Sequence, residues 1–141
     1  MRLPRALYDE LLRHATAEAP NECCGMIAAQ EGVATRVFRA RNVDASPLRY
    51  TIDPADQLAI DREIDRHDGW ELGAIYHSHT RTDPVPSQTD INLALVDSSD
   101  RPWFPGVLHI IVGVAGSEPD VRAWDIQTRR RHEPVELVVD E

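Results

Sequence analysis

The length, composition and charge of this chain exclude several classes of protein. Its 141 residues are 42% hydrophobic and 28% charged, close to globular averages, which favours one packed domain over residues 1–141 rather than disorder. A formal net charge of -9 argues against nucleic acid as a partner, and the lack of a bilayer-length apolar run or a signal-peptide segment predicts a cytoplasmic protein without membrane contact.

The N-terminal part of the chain predicts a helix followed by a hairpin. Apolar residues recur at helical spacing over residues 4–18, as in an amphipathic helix. Two strands are expected at 24–29 and 33–40, joined by a tight turn that contains Gly32. Glu22 therefore lies where the first strand of the hairpin begins.

The middle of the chain predicts a strand that runs into two histidines. A short strand is expected at 49–52, and a more exposed helix from 54 to about 67. The next strand covers 71–76 and continues into residues 77–79, which have the sequence His-Ser-His. Prolines in the segment 80–86 end that strand and form a loop, the kind of segment in which functional residues are often found.

The C-terminal part predicts one more helix and three strands. Ser87 and Asp90 precede an apolar segment with the spacing of a helix N-cap and its acidic partner, so a helix begins here. Apolar patterns then predict strands at 107–114, 120–126 and 135–139. This mixture of helices and strands, without a repeat or a linker, indicates an α+β fold.

Two histidines and one aspartate have the spacing of a metal site. On a strand, His77 and His79 point to the same side and can bind one metal ion. The loop and the helix that follow can bring Asp90 back to the end of that strand. Three protein ligands leave a fourth position open, which is typical of catalytic zinc. For hydrolysis, Glu22 is the candidate base for a water molecule, and Ser87 is the candidate donor to an oxyanion.

Each of these residues also has a simpler explanation. Ser87 and Asp90 could form only a capping box, although capping and catalysis are not exclusive. Glu22 could be a solvated surface acid. A His-x-His pair also occurs in cupins and amidohydrolase barrels, but the chain is too short for such a barrel and lacks the next cupin ligands. The combined spacing His-x-His, seven residues, Ser-x-x-Asp favours the functional explanation.

Other reactive side chains are expected to be structural. Cys23 and Cys24 are adjacent, which strains a disulfide, so we expect reduced core residues and no thiol nucleophile. Three histidines are predicted to lie at the surface: His14, His67 and His132. His109 is expected to be a hydrogen-bonded core residue, although it could approach the metal site from a neighbouring strand. Trp103 is a candidate for an exposed contact with a protein substrate.

At these residues the sequence resembles the JAMM (MPN-plus) metalloprotease family, whose signature is a distant glutamate followed by His-x-His, seven residues and Ser-x-x-Asp. Every position is present, and the short bacterial Mec-type members fit best. The resemblance implies a single MPN/JAMM-like domain with a curved mixed sheet flanked by helices. It also implies zinc on His77, His79 and Asp90. Glu22 would then act as general acid and base, and Ser87 would polarise the scissile carbonyl.

The resemblance further implies a substrate class. The family cleaves peptide or isopeptide bonds beside the C-terminal glycines of ubiquitin-like proteins, and Mec-type members release cysteine from a sulfur carrier. We therefore expect a ubiquitin-like sulfur-carrier partner that ends in Gly-Gly, and a role in cysteine biosynthesis. General deconjugation of ubiquitin-like proteins and a non-catalytic MPN scaffold are the alternatives. The short loop 80–86 suits a flexible glycine-rich tail, and the sequence leaves open whether the chain forms a homodimer.

Overall fold

The computed structural model describes residues 1–96 and 99–141. These residues form eight strands and three helices, which are joined by loops. The helices are α1 (Arg5–Glu18), α2 (Pro54–Asp65) and α3 (Gln88–Ala94). The strands are β1 (Arg2–Pro4), β2 (Cys24–Gln30), β3 (Val33–Ala40), β4 (Glu71–His79), β5 (Leu108–Gly113), β6 (Asp120–Thr128), β7 (Arg131–Val135) and β8 (Val138–Asp140). No helix in the described ranges is long and apolar enough to cross a membrane.

The eight strands belong to one mixed sheet in the order β7-β6-β5-β4-β2-β3-β1-β8. Strand β4 pairs parallel with β5 and antiparallel with β2, which places it at the centre of the sheet. Parallel pairs also join β1 to β3 and to β8. The sheet is curled and flanked by helices, so the α+β class and the curved mixed sheet are confirmed.

The two faces of β4 contact different hydrophobic layers. Tyr76 packs in a cluster that includes α1, whereas Ile75 packs in a cluster that includes α2. Because side chains alternate along a strand, His77 and His79 continue the face of Ile75. The last six residues of β4 are buried, so both histidines lie inside the protein.

The predicted helices and the first hairpin are confirmed. Strands β2 and β3 pair antiparallel, and Gly32 in their turn has a φ of 80°, a left-handed conformation that glycine adopts without strain. Helix α2 begins at Pro54, as expected, and ends at Asp65, two residues before the predicted boundary. Helix α3 begins after the N-cap Ser87, also as predicted.

The strand predicted at 49–52 is wrong. In that segment only Ile52 forms a β-bridge, to Asn42. The Asn42 side chain takes over backbone hydrogen bonds that a neighbouring strand would otherwise make, since its amide donates to the Arg49 carbonyl and its oxygen accepts from the Thr51 N–H. The segment is therefore a loop held by one side chain.

The strand predicted at 135–139 is also wrong, because the structure divides it between two strands. Val135 ends β7, which pairs with β6, whereas Val138 begins β8, which pairs with β1 at the opposite edge of the sheet. The chain crosses between the edges at residues 136–137. Strand β1 was not predicted, and it is three residues long.

Candidate metal centre

Three predicted ligands converge at the C-terminal end of β4. The Nε2 atoms of His77 and His79 are 3.2 Å apart, and Asp90 Oδ2 lies 3.1 Å from the first and 3.0 Å from the second. All three side chains are buried, with at most 4% of their residue surface exposed. One carboxylate oxygen and two imidazole nitrogens therefore face a common centre.

The capping box at the start of α3 positions the aspartate. Ser87 Oγ accepts a hydrogen bond from the Asp90 N–H at 3.1 Å, and the Ser87 N–H donates to Asp90 Oδ2 at 2.9 Å. These reciprocal bonds fix the carboxylate beside the end of β4. The capping function considered for these residues is thus real, and it also places a candidate ligand.

The surroundings of the histidines orient their rings. His79 Nδ1 lies 2.8 Å from the Asp83 carbonyl, which can only accept, so Nδ1 carries a proton and Nε2 is the nitrogen that would bind a metal. The His77 ring stacks on Tyr50, with ring centroids 4.4 Å apart and an interplanar angle of 19°. Neither the Asp83 carbonyl nor the Tyr50 ring was anticipated, because both contacts depend on how loops return to the sheet.

Electrostatics keep the aspartate ionised. Burial alone would raise the pKa of Asp90, but its hydrogen bonds with His77 and His79 outweigh burial and lower it. For His79, burial lowers the pKa, but the hydrogen bonds to Asp90 and to the Asp83 carbonyl together have the larger effect. The pKa of His79 is therefore raised. Burial dominates at His77 and lowers its pKa. The site therefore combines a carboxylate with a neutral imidazole.

The ligand atoms fit a zinc ion. Donor atoms about 2.0–2.1 Å from a tetrahedral zinc lie about 3.3 Å from one another, close to the 3.0–3.2 Å separations found here. This set of His77, His79 and Asp90 is the group among the described residues that could hold a metal ion.

Glu22 lies beside this centre in a buried position. Only 4% of its surface is exposed, so the surface-acid explanation is wrong. Its backbone is fixed by hydrogen bonds to the Ser46 carbonyl and from the Asn42 side chain, and the next residue bonds to Ser78 of β4. Glu22 Oε1 is buried without a hydrogen-bond partner among the described residues. Burial and the nearby Asp90 carboxylate raise the pKa of Glu22 to about 8, although His79 opposes this.

A small cavity of about 180 Å³ connects these residues. Glu22, His79 and Ser87 line it, and the other lining residues are Pro47, Leu48, Thr80, Arg81 and Thr82. The arrangement thus combines a metal-ligand set, a carboxyl group with a raised pKa and a serine hydroxyl around one opening. Such a combination is suited to hydrolysis of a polar bond.

Other sequence predictions meet different outcomes. Cys23 and Cys24 are buried free thiols, as expected, and burial raises their pKa values to about 11 and 12. His14 was predicted at the surface, and this is wrong: it is 3% exposed and bonds to the Tyr76 hydroxyl at 2.7 Å. Helix α1 packs its C-terminal turns on the sheet, which buries the ring despite charged sequence neighbours.

His109 and Trp103 both line a second cavity, next to the metal centre. His109 is buried, and burial with the nearby His77 lowers its pKa to about 4, so it is a neutral neighbour of the ligand set and not one of its members. Trp103 is 59% exposed, as expected for a contact residue. Both line this cavity of about 150 Å³ together with Tyr50.

Comparison with known proteins gives this geometry a family context. The family model described as prokaryotic homologs of the JAB domain matches residues 4–127. The CysO-cysteine peptidase of Mycobacterium tuberculosis is 37% identical over 90 residues, which cover 62% of this chain and 61% of that protein. The probable TtuB-protein conjugate cleaving protease of Thermus thermophilus is 40% identical over 93 residues, which cover 65% and 62%. This chain thus spans about three fifths of the length of these curated relatives. A solved Desulfitobacterium hafniense protein has a TM-score of 0.83 and 27% identity, covering 99% of this chain and 92% of that one.

Proposed function

The chain belongs to the prokaryotic homologs of the JAB domain, and on this basis we propose that it is a zinc-dependent peptidase or isopeptidase. Its substrate is the C-terminal Gly-Gly end of a ubiquitin-like sulfur-carrier protein, from which it releases cysteine in cysteine biosynthesis in the cytoplasm. The observation that carries the proposal is the convergence of His77, His79 and Asp90 beside the buried carboxyl of Glu22, whose Oε1 has no hydrogen-bond partner in the described part of the chain.

Each residue of the site has a chemical role in this proposal. Zinc on His77, His79 and Asp90 supplies, when bound, a positive charge that polarises a carbonyl and lowers the pKa of a water molecule. Glu22 accepts the proton of the attacking water and passes it to the leaving nitrogen. The Ser87 oxygen already accepts a hydrogen bond from Asp90, so its own hydrogen is available for the carbonyl oxygen. Water adds to the carbonyl carbon, the C–N bond breaks, and the amine leaves neutral.

The substrate class is supported by the relatives and by the shape of the site. One relative is named for cleavage of a CysO-cysteine bond and another for cleavage of TtuB-protein conjugates. The cavity that Glu22 shares with His79 and Ser87 is small, so two glycines, which lack bulky side chains, suit an extended tail that must pass close to Ser87. Contacts with the carrier body would supply further binding energy.

Conjugate cleavage is the second candidate function. The 40% identity to the Thermus relative favours it, and the same residues would hydrolyse an isopeptide bond. A purely non-catalytic scaffold is disfavoured because the chain keeps three candidate ligands, a buried acid and a serine donor.

The experiment uses a ubiquitin-like carrier ending in Gly-Gly, with cysteine in peptide linkage to the last glycine. Mass spectrometry before and after incubation should show loss of one cysteine residue and an intact Gly-Gly end. A matched isopeptide conjugate tests the second function in parallel. No turnover of either substrate by the zinc-loaded chain would contradict both candidate functions. Equal rates on a Gly-Cys dipeptide and on the carrier adduct would contradict recognition of the carrier.

A further inference from the structure

The cavity that Glu22 shares with His79 and Ser87 contains one feature that hydrolysis itself does not require. Among the residues that line this cavity, Arg81 is the one arginine, and the chain has no lysine. The Arg81 side chain is exposed and forms no ion pair or hydrogen bond with the described residues. An arginine whose side chain has no ion-pair partner among the described residues therefore lines the cavity that Glu22, His79 and Ser87 share.

The loop that carries Arg81 is anchored on both sides. Thr80 Oγ1 donates to the Pro20 carbonyl at 2.9 Å, which ties the loop to the segment that leads into Glu22. Thr82 Oγ1 lies 3.2 Å from His79 Nδ1, which ties the loop to a candidate ligand. The backbone at Arg81 is thus fixed relative to both the acid and the metal centre, although its side chain reaches into solvent.

The chemistry of the leaving group gives this arginine a use. Glu22 must contact the leaving nitrogen to return the proton to it. In an α-amino acid the carboxyl carbon is two bonds from that nitrogen, or about 2.5 Å away. A free α-carboxylate would therefore enter the same cavity as the leaving amine. The ε-nitrogen of a lysine conjugate is followed instead by four methylene groups, which bring no negative charge there.

We propose that Arg81 binds the free α-carboxylate of the amino acid that leaves, so that the site prefers a single C-terminal residue to a lysine isopeptide. This rests on the proposed function and deepens it. A guanidinium binds a carboxylate through two parallel hydrogen bonds, and the apolar Pro47 and Leu48 line the same cavity for the side chain of the released residue. Its volume of about 180 Å³ is below the roughly 300–1,000 Å³ of sites for drug-sized ligands, which suits one small amino acid.

The test compares two synthetic peptides that end in Gly-Gly-Cys, one with a free C-terminal carboxylate and one with a carboxamide. Binding is measured by calorimetry on the zinc-loaded Glu22→Gln chain, which holds substrate without rapid turnover. The carboxylate peptide should bind about three- to fivefold more tightly, a modest factor because the guanidinium is exposed to solvent. Adding Arg81→Gln should abolish that preference, whereas adding Arg62→Gln, an exposed arginine on α2, should leave it intact.

Hydrolysis by the otherwise unchanged chain separates this proposal from the proposed function. Arg81→Gln should raise KM for the carboxylate peptide and leave kcat/KM for the carboxamide peptide close to that of the parent. Equal binding of the two peptides, absent binding of both, or an equal loss on both from Arg81→Gln would overturn the role of Arg81. Carboxylate-selective binding that depends on Arg81, without hydrolysis of either peptide or of the carrier adduct, would instead support this role and overturn the hydrolytic function.

Discussion

Replacing Glu22 by glutamine should have opposite effects on activity and on the stability of the metal-free chain. The substitution keeps the size of the side chain but replaces a carboxyl group, which can lose and accept a proton, by an amide, which cannot. Glu22 is buried, and its Oε1 has no hydrogen-bond partner among the described residues. A residue placed for packing alone would not be expected to be a buried carboxyl group with an unsatisfied oxygen.

The magnitudes follow from proton transfer and from burial. General acid–base catalysis contributes typically 10²- to 10⁴-fold, so Glu22→Gln should lower kcat by about that factor. Burial, with a smaller effect of Asp90, raises the pKa of Glu22 to about 8 from an ordinary value of 4.5. As pH rises from 4.5 towards 8, the unfolded chain loses this proton first, which destabilises the folded state. At pH 7 the penalty is about 3 kcal/mol, and glutamine removes it.

The assay measures kcat on the carrier adduct and urea unfolding of metal-free protein at pH 7. Glu22→Gln should bind zinc, lose most turnover and unfold at a higher urea concentration than the parent chain. Glu118→Gln, in an exposed loop, is the matched control and should change neither quantity. Turnover close to the parent would refute proton transfer by Glu22, and an unchanged or lower urea midpoint would refute the argument from burial.

Two further substitutions test the helix cap at the site and the burial of His14. Ser87→Ala should retain zinc, lower kcat, and destabilise the fold by about 1 kcal/mol through loss of the helix cap. The melting temperature must therefore be measured beside kcat. An unchanged kcat would exclude Ser87 as a donor. Burial, with a contribution from Arg39, lowers the pKa of His14 to about 4, so the unfolded chain binds a proton between pH 6.5 and 4 that the folded chain does not. Metal-free protein should therefore lose about 3 kcal/mol of stability over this pH interval through His14, and His14→Gln should remove that part of the loss. If the free energy of unfolding of the two proteins fell equally between pH 6.5 and 4, the burial argument would be contradicted.

The sequence predicted best the features that depend on local spacing. The alternation of side chains along β4 was enough to place His77 and His79 on one face, and the capping pattern was enough to begin α3 at Ser87. Their combination brought Asp90 to the histidines without any knowledge of distant contacts. Such patterns are reliable because backbone geometry enforces them within a few residues.

Features that depend on the return of distant segments were missed. The loop at 49–52 is set by the side chain of Asn42, and this loop is what brings Tyr50 onto His77. The burial of His14 depends on Tyr76, 62 residues away along the chain. Neither contact leaves a periodic signal in the sequence, because each is a pairing of single residues across the fold.

The C-terminal strands show the same limit. An apolar pattern at 135–139 correctly indicated extended backbone but not its partners, since β7 and β8 pair at opposite edges of the sheet. The three residues of β1 are too few for a pattern and are defined by pairing with β3 and β8. Sheet order is a property of the whole chain.

The zinc content of the purified chain tests the central claim most directly. Elemental analysis of protein prepared without added metal should give about one zinc per chain, removable by a chelator with loss of activity, because two imidazoles and a carboxylate suit this ion. The double variant His77→Ala, His79→Ala should contain almost none, while the control Glu118→Gln should match the parent. Full zinc occupancy in the double variant, or a fully active parent chain without zinc, would contradict the account.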